Sequence, residues 1–251
     1  MEKYFNIEGS GQNIRCKLYF DGSEPIKRVV LFGHGFAGHK DNGAAQRFAS
    51  YVLSECKDAA VLIYNLPGHG DDAGELTLDG CMAYMSAAVD YIKAELHTDR
   101  IYSYATSFGG YLVLKYIAEF GDPFAKIALR CPAVGMADVL TKTIMKSDEL
   151  AAIHRGETAQ VGFDRKIGLD LRFMENIEAA DIRVLDYSAY APNILILHGT
   201  KDEVAPFEES RRFAERNGIE FIPVENADHR FQDPACMELA TRRVTEFLGF
   251  K

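Results

Sequence analysis

Residues 101–112 read IYSYATSFGGYL, and Ser107 separates an apolar run from a segment with helical periodicity. Short apolar runs next to glycine are typical of buried parallel strands. The stretch therefore predicts a strand over Ile101–Tyr104, a sharp turn at Ser107 and a helix over Phe108–Glu119. Such a turn lies at the carboxyl end of a strand, where α/β folds bind their ligands.

The same alternation of strand and helix extends along the chain from residue 28. It indicates βαβ units, and hence an α/β fold with a mostly parallel central sheet and helices on both faces. Residues 3–8 and 13–20 predict an opening hairpin that turns at Gly9-Ser10-Gly11. The other predicted strands are Arg28–Phe32, Ala60–Tyr64, Ala125–Leu129, Ile194–Leu197 and Glu220–Val224, and the other predicted helices are Ala44–Glu55, Asp79–Glu95, Phe207–Arg216 and Pro234–Phe247.

One interval interrupts this alternation. About sixty residues, from Cys131 to Pro192, separate two strands that a crossover of about a dozen residues could join. We interpret residues 132–190 as an inserted cap within a single domain that spans residues 1–251. A helix over Val139–Ile153 and a small hairpin over residues 162–173 are predicted inside the cap.

Composition narrows the class of partner and the compartment. The chain has 28 lysines and arginines against 37 aspartates and glutamates, a net charge of −9 that disfavours nucleic acid and anionic membranes as partners. Its five cysteines are scattered without C-x-x-C spacing, which favours a reducing compartment over a disulfide framework. The N-terminus lacks the pattern of a secretory signal, and no stretch approaches the length of a membrane span. We expect a cytoplasmic protein, and the sequence leaves its oligomeric state open.

Ser107 has the surroundings of a nucleophile held in a strained turn. A positive-φ serine between a strand and a helix requires small residues two positions before and after it, and Ala105 and Gly109 meet this requirement. The usual G-x-S-x-G signature has glycine at both positions, so A-x-S-x-G is a variant. The alternative is a serine N-cap, with Gly109 and Gly110 merely allowing the helix to pack closely on the sheet.

A serine hydroxyl needs a base and an orienting carboxylate before it becomes a good nucleophile. Asp202 lies in HGTKDEVAP, directly after one predicted strand, and His229 lies in ENADHRF, after the next. The chain order Ser, Asp, His at one edge of the sheet favours a catalytic triad. Taken singly, Asp202 could be a solvated turn residue and His229 a surface loop residue. Asp228 is a poor substitute for Asp202, because adjacent side chains point apart in most backbones.

Acyl transfer also needs backbone N–H groups that bind the tetrahedral oxyanion. Phe108 N–H, directly after the serine, is the first candidate. Phe36 N–H is the second, in the sequence His34-Gly35-Phe36 that follows the strand Arg28–Phe32. Gly35 would allow close approach, and we expect His34 and Gly35 to contact the substrate. The alternative is an ordinary glycine-rich turn after a strand.

The sequence offers little support for a metal or a cofactor. Four histidines could suggest a metal site, but none is paired at a helical ligand spacing. They are His34, His39, His69 and His198. No P-loop is present, and no G-x-G-x-x-G opens a helix after the first strand. We therefore expect neither a metal nor a cofactor.

The segments HGFAGHK, NLPGHGDD, ATSFGGYL, HGTKDEVAP and ADHRF together resemble the α/β-hydrolase superfamily. Within it, the chain is similar to bacterial cinnamoyl and feruloyl esterases and to monoacylglycerol-lipase-like serine esterases. The resemblance implies Ser107 as nucleophile, His229 as general base and Asp202 as its orienting acid. It implies Phe36 and Phe108 as the oxyanion donors.

The implied activity is hydrolysis of a small carboxylic ester through an acyl-enzyme, with no cofactor. The same triad serves amidases, peptidases, thioesterases and acyltransferases, and a non-catalytic binding protein of this fold is a further alternative. Two departures bear on the substrate. Those esterases commonly carry G-H-S-Q-G-G where this chain has A-T-S-F-G-G, so Phe108 replaces a polar side chain, and they often have aspartate where Asn65 stands.

Overall fold

The computed structural model describes residues 1–9 and 12–251, and ten strands lie in these ranges. The strands are β1 (Glu2–Gly9), β2 (Gln12–Phe20), β3 (Arg28–Gly33), β4 (Ala59–Tyr64), β5 (Ile101–Thr106), β6 (Ile127–Arg130), β7 (Ala159–Val161), β8 (Ile167–Leu169), β9 (Ile194–Gly199) and β10 (Glu220–Val224). Eight of them form one sheet in the order β1-β2-β4-β3-β5-β6-β9-β10.

The sheet is mostly parallel, which confirms the predicted fold class. β1 pairs antiparallel with β2, and β2 antiparallel with β4, whereas every other neighbouring pair in this sheet is parallel. The opening hairpin is present as the pairing of β1 with β2. Two residues of its predicted turn, Ser10 and Gly11, lie outside the described residues.

Helices connect the parallel strands, and the five helices predicted from the alternation of strand and helix agree with the structure to within one residue at each end. Their starts follow from local chemistry, since Asn42 and Thr77 cap two of them through their side chains and Pro234 occupies a first helical position. The α-helices are α1 (Gly43–Glu55), α2 (Leu78–Glu95), α3 (Phe108–Phe120), α4 (Met136–Val139), α5 (Ser147–His154), α6 (Leu171–Ala179), α7 (Phe207–Asn217) and α8 (Pro234–Leu248). In the described part of the chain, no helix has both the length and the apolar character that crossing a bilayer requires.

Two layers of helices bury both faces of the sheet. In β3, for example, Val29 and Leu31 pack on the face that α2, α3 and α7 cover, and Val30 and Phe32 pack on the face that α1 and α8 cover. Strands buried on both sides carry apolar residues at successive positions, because every side chain leaves water. This explains why the sequence shows these strands as continuous apolar runs.

The interval between β6 and β9 differs from its predicted details. The single helix expected over Val139–Ile153 is divided, because the π-helical turn Leu140–Ile144 is followed by an extended Met145. Glu149 then accepts a hydrogen bond from the Lys146 N–H and so starts α5 anew.

The small hairpin is also displaced from its predicted position at residues 162–173. Its strands are β7 and β8, which pair antiparallel across the turn 162–166. The chain cannot continue as strand beyond β8, because the Asp170 side chain accepts a hydrogen bond from Phe173 N–H and caps α6.

Candidate active site

Ser107 adopts the strained turn that the sequence predicts. Its backbone angles are φ 52° and ψ −120°, a region that few non-glycine residues adopt. A Cβ at Gly109 would lie 2.6 Å from the carbonyl oxygen of His34 and 2.7 Å from that of Gly33, so only glycine fits there. The Ser107 side chain makes no capping hydrogen bond to α3, and the alternative that this hydroxyl serves as a helix N-cap is therefore wrong.

The structure brings the three predicted triad residues together from the loops after β5, β9 and β10. His229 Nε2 lies 3.0 Å from Ser107 Oγ, and His229 Nδ1 lies 2.7 Å from Asp202 Oδ2. We assign the imidazole proton to Nδ1, which donates a hydrogen bond to the carboxylate. The Nε2 lone pair then accepts a hydrogen bond from the serine hydroxyl. The arrangement can withdraw a proton from Ser107 Oγ.

Hydrogen bonds to both carboxylate oxygens hold the Asp202 side chain in place. Its Oδ1 accepts hydrogen bonds of 2.8 Å from the N–H groups of Val204 and Ala205, and its side chain is fully buried. Burial by itself would raise the pKa of this carboxyl, but hydrogen bonds from His198 and His229 outweigh it and hold the pKa well below its usual range. The carboxylate is therefore ionised across the neutral pH range.

His198 belongs to this site, although the sequence considered alone suggested it only as one of four candidate metal ligands. Its Nε2 lies 3.0 Å from Asp202 Oδ2 and 3.0 Å from the carbonyl oxygen of Ala205. The spacing of His198 and Asp202 in HGTKD, four residues apart across a strand end, is the sequence signal that could have suggested this contact. The histidine gives the acid a second donor besides His229.

Cys131 lies beside this pair, and the three candidate ligand atoms of Cys131, His198 and Asp202 are within 4.8 Å of one another. Burial, and next the negative charge of Asp202, raise the pKa of the Cys131 thiol well above its usual value. The protonated thiol can donate a hydrogen bond to the Asp202 carboxylate, so Cys131 joins the hydrogen-bonded cluster around the triad acid.

The segment His34-Gly35-Phe36, which we call the predicted oxyanion loop, lies directly against the nucleophile. A Cβ at Gly35 would lie 3.1 Å from Ser107 Cβ and 3.7 Å from Ser107 Oγ. Among the described residues, the backbone N–H groups of Phe36 and Phe108 have no protein acceptor, and that of Phe108 is the first in α3. The Phe108 ring, which replaces a polar side chain in this motif, is buried against Phe36 and Tyr111.

His34 lines the cavity at Ser107, but both of its ring nitrogens form hydrogen bonds with backbone atoms. Its Nδ1 lies 2.9 Å from the carbonyl oxygen of Gly35, and its Nε2 accepts a 3.2 Å hydrogen bond from Leu66 N–H. The ring thus ties the oxyanion loop to the segment after β4. This contact positions Gly35 and leaves no free nitrogen for a ligand.

Asn65 joins the same two segments and explains one departure from the esterase pattern. Its Oδ1 accepts a 2.7 Å hydrogen bond from Lys40 N–H, while its Nδ2 donates to the carboxylate of Asp71. An aspartate at position 65 would set two carboxylates against each other. Asp71 also binds Lys40 Nζ at 2.7 Å and so has a structural role.

Two buried histidines in these segments make stability depend on pH. Burial, and next the neighbouring His69, lower the pKa of His34 to about 3, and burial lowers the pKa of His69 to about 4. In the unfolded chain both groups titrate near pH 6.5, at about the ordinary pKa. Below about pH 6.5 the unfolded chain therefore binds protons that the native state does not, and the free energy of unfolding falls by up to about 1.4 kcal/mol per pH unit for each histidine.

Urea unfolding at several pH values between about 7.5 and about 4.5 measures this slope. We expect His69→Gln to flatten it, and His154→Gln, on an exposed helix end, to leave it unchanged. A slope that His69→Gln leaves unchanged would contradict the lowered pKa of His69.

A cavity of about 450 Å³ adjoins Ser107, within the size range of small-molecule sites. Phe163, Asp164 and Arg165, from the predicted cap, contribute to its wall. Four arginines also line it, and the sequence analysis singled out none of them: Arg47, Arg130, Arg165 and Arg230. Arg130 carried a signal, because it directly follows the predicted apolar strand Ala125–Leu129 and ends β6.

The fold and this geometry are typical of hydrolases, and comparison with known proteins identifies the family to which the chain belongs. Residues 28–155 match the family model described as alpha/beta hydrolase fold, and the chain belongs to this family, as the motifs predict. No functionally curated protein matches the sequence.

Solved structures share the fold over nearly the whole chain. Est1E from Butyrivibrio proteoclasticus with bound ferulic acid is 22% identical, with a TM-score of 0.74 and 97% of each chain covered. A putative hydrolase from Agrobacterium vitis S4 is 15% identical, with a TM-score of 0.76, covering 99% of this chain and 98% of its own. A monoacylglycerol lipase from Paleococcus ferrophilus is 18% identical, with a TM-score of 0.65, covering 96% of this chain and 100% of its own. At identities this low, the structural similarity establishes the shared fold alone.

Proposed function

We propose that the protein is a serine hydrolase that cleaves a small carboxylic ester through an acyl-enzyme. The observation that carries this proposal is the pair of contacts at His229, 3.0 Å to Ser107 Oγ and 2.7 Å to Asp202 Oδ2. A serine hydroxyl, an imidazole and a buried carboxylate in this order form the apparatus of nucleophilic acyl transfer.

Acylation begins when His229 Nε2 accepts the hydroxyl proton and Ser107 Oγ attacks the carbonyl carbon. The N–H groups of Phe36 and Phe108 bind the resulting oxyanion. Asp202 stabilises the imidazolium, which then donates its proton to the alcohol oxygen as the carbon–oxygen bond breaks. The alcohol leaves, and the acyl group remains on Ser107 Oγ.

Deacylation repeats these steps with water as the nucleophile. His229 Nε2 takes a proton from the water, and the resulting hydroxide attacks the acyl carbon. The second oxyanion collapses, Ser107 Oγ leaves and recovers its proton from the imidazolium, and the acid is released. The sequence consumes one ester and one water, and it requires no cofactor.

Two observations support an ester as the substrate class. One structural neighbour holds ferulic acid and another is a monoacylglycerol lipase, which makes esters the first class to test. The cavity of about 450 Å³ suits a small molecule, the one partner that the proposal requires.

Residues 132–190 act as a cap in this proposal, since the turn 162–166 supplies part of the cavity wall. The cytoplasm remains the proposed compartment, supported by five cysteines without a disulfide in the structure.

The test compares three acetyl donors with aromatic leaving groups: 4-nitrophenyl acetate, 4-nitroacetanilide and S-phenyl thioacetate. We expect the highest kcat/KM for the oxygen ester relative to each donor's uncatalysed rate. A higher relative value for the anilide or the thioester would identify an amidase or a thioesterase. A folded protein that turns over none of the three would favour a non-catalytic binding protein of this fold.

A further inference from the structure

The cavity at Ser107 has a charge opposite to that of the chain. The protein carries a net charge of −9, yet the side chains that line this cavity include four arginines and one carboxylate. That carboxylate, Asp164, already faces Arg230 at 3.3 Å and has an exposed side chain. The arginines therefore leave an excess of positive charge around the nucleophile, and a ligand of negative charge would complement it.

Arg130 is the buried member of this set. Only 6% of its surface is exposed, and it forms no ion pair with any carboxylate in the described parts of the chain. Its Nε is buried without a hydrogen-bond partner, and its Nη1 has only the Met237 sulfur at 3.1 Å. The Phe231 ring lies 5.0 Å from the guanidinium carbon. Burying a charge without a counter-ion is costly, so this side chain lacks the anion that would stabilise it.

Arg130 is also next to the nucleophile. It is the register neighbour of Thr106 across β5 and β6, and its carbonyl oxygen accepts a 3.1 Å hydrogen bond from Ser107 N–H. The first turn of α1, which lacks acidic residues, lines the same cavity and brings the positive end of a helix dipole to it. An anionic group held at Arg130 would thus lie in the same cavity as a carbonyl that Ser107 attacks.

We propose that the substrate is an ester that carries a carboxylate, which binds the Arg130 guanidinium while the ester carbonyl faces Ser107. This inference rests on the proposed ester hydrolysis and assigns its substrate class. A carboxylate fits better than a phosphate monoester, because the latter carries about −1.5 to −2 charges and a single buried guanidinium neutralises one. Arg47, Arg165 and Arg230 are exposed at the rim, where they attract the anion into the cavity in a salt-dependent way.

The test uses monoethyl esters of succinic, glutaric and adipic acid, each paired with the same ester whose free carboxyl is a primary amide. Ethanol release gives kcat/KM for both members of a pair. We expect the best half-ester to exceed its amide by about ten- to hundredfold, as a charge-assisted hydrogen bond implies. Equal values in all three pairs, with both esters hydrolysed, would overturn the inference and leave the ester hydrolase intact.

Variants assign the preference to Arg130. Arg130→Met should reduce the ratio of half-ester to amide to about one, whereas Arg130→Lys should retain part of it because the charge remains. Arg242→Met, on the exposed side of α8, is the matched control and should keep the wild-type ratio. Loss of the ratio in Arg242→Met, or its survival in Arg130→Met, would remove Arg130 from the proposal. Melting temperatures check folding, and a buried arginine without a carboxylate partner should be replaceable by methionine without loss of stability.

Binding separates this inference from the proposed function. Calorimetry with the Ser107→Ala variant measures the affinity for each half-ester and its amide without turnover. A tighter half-ester in at least one pair supports the carboxylate site even if the wild-type protein hydrolyses neither compound, in which case the proposed function alone fails. No preference in any pair rejects the carboxylate site.

Discussion

Replacing Ser107 by alanine is expected to lower kcat for ester hydrolysis by about ten-thousand- to millionfold. The reason is that Ser107 Oγ is the atom that forms the acyl-enzyme, and no other hydroxyl is hydrogen-bonded to His229 in the described parts of the chain. Loss of the side chain leaves the buried Asp202 and its contacts unchanged, so KM and the melting temperature should change little. Steady-state hydrolysis of 4-nitrophenyl acetate measures the effect.

Ser103 provides the matched control in the same strand. It is buried in β5, and its Oγ has no hydrogen-bond partner, so Ser103→Ala should leave activity near the wild-type value. Removing an unsatisfied buried hydroxyl is neutral or slightly stabilising. Equal losses in the two alanine variants would point to disruption of β5, and near-normal activity in Ser107→Ala would remove the serine from the mechanism.

The second large effect is expected for Asp202→Asn, with kcat reduced by about a thousand- to ten-thousandfold. The backbone N–H groups of Val204 and Ala205 would hold the amide oxygen in the place of Oδ1. The amide nitrogen would then occupy the place of Oδ2 and could not accept the proton of His229 Nδ1. This change favours the tautomer protonated on Nε2, which cannot accept a proton from Ser107.

Asp228→Asn is the comparison for this variant, because Asp228 adjoins His229 but does not contact the triad. Its Oδ1 accepts a 3.0 Å hydrogen bond from Gln232 N–H, a role that an amide oxygen can also fill. We expect kcat within a few-fold of wild type, because Asp228 is only half-buried and an amide can keep its hydrogen bond. A larger loss of kcat in Asp228→Asn than in Asp202→Asn would show that Asp202 is not the acid of the triad.

The sequence predicted the central sheet well because its strands are buried on both faces. Apolar runs such as Val29–Phe32 stand out against glycine and polar neighbours, and Asn42 or Thr77 mark where helices begin. The predicted cap was harder because its elements are short. There a single side chain, Asp170, decides that α6 begins where a strand was expected, and such a contact leaves no periodic signal.

The candidate triad was predictable for a related reason. Parallel strands end at one edge of a sheet, so residues that follow different strands in sequence meet in space. Ser107, Asp202 and His229 satisfy this rule. Arg130 and His198 were missed because their importance depends on contacts between distant parts of the chain. The isolation of Arg130 becomes visible only when Phe231 and Met237 lie around it.

The assignment of Ser107 as the nucleophile is tested most directly by labelling the folded protein with a fluorophosphonate and mapping the adduct by mass spectrometry. The phosphonyl group forms a bond to a serine only where a base and an oxyanion site activate it. The proposed mechanism predicts one adduct per chain, on the peptide that contains Ser107, and much slower labelling of Asp202→Asn. An unlabelled folded protein, or an adduct on a different residue, would contradict it.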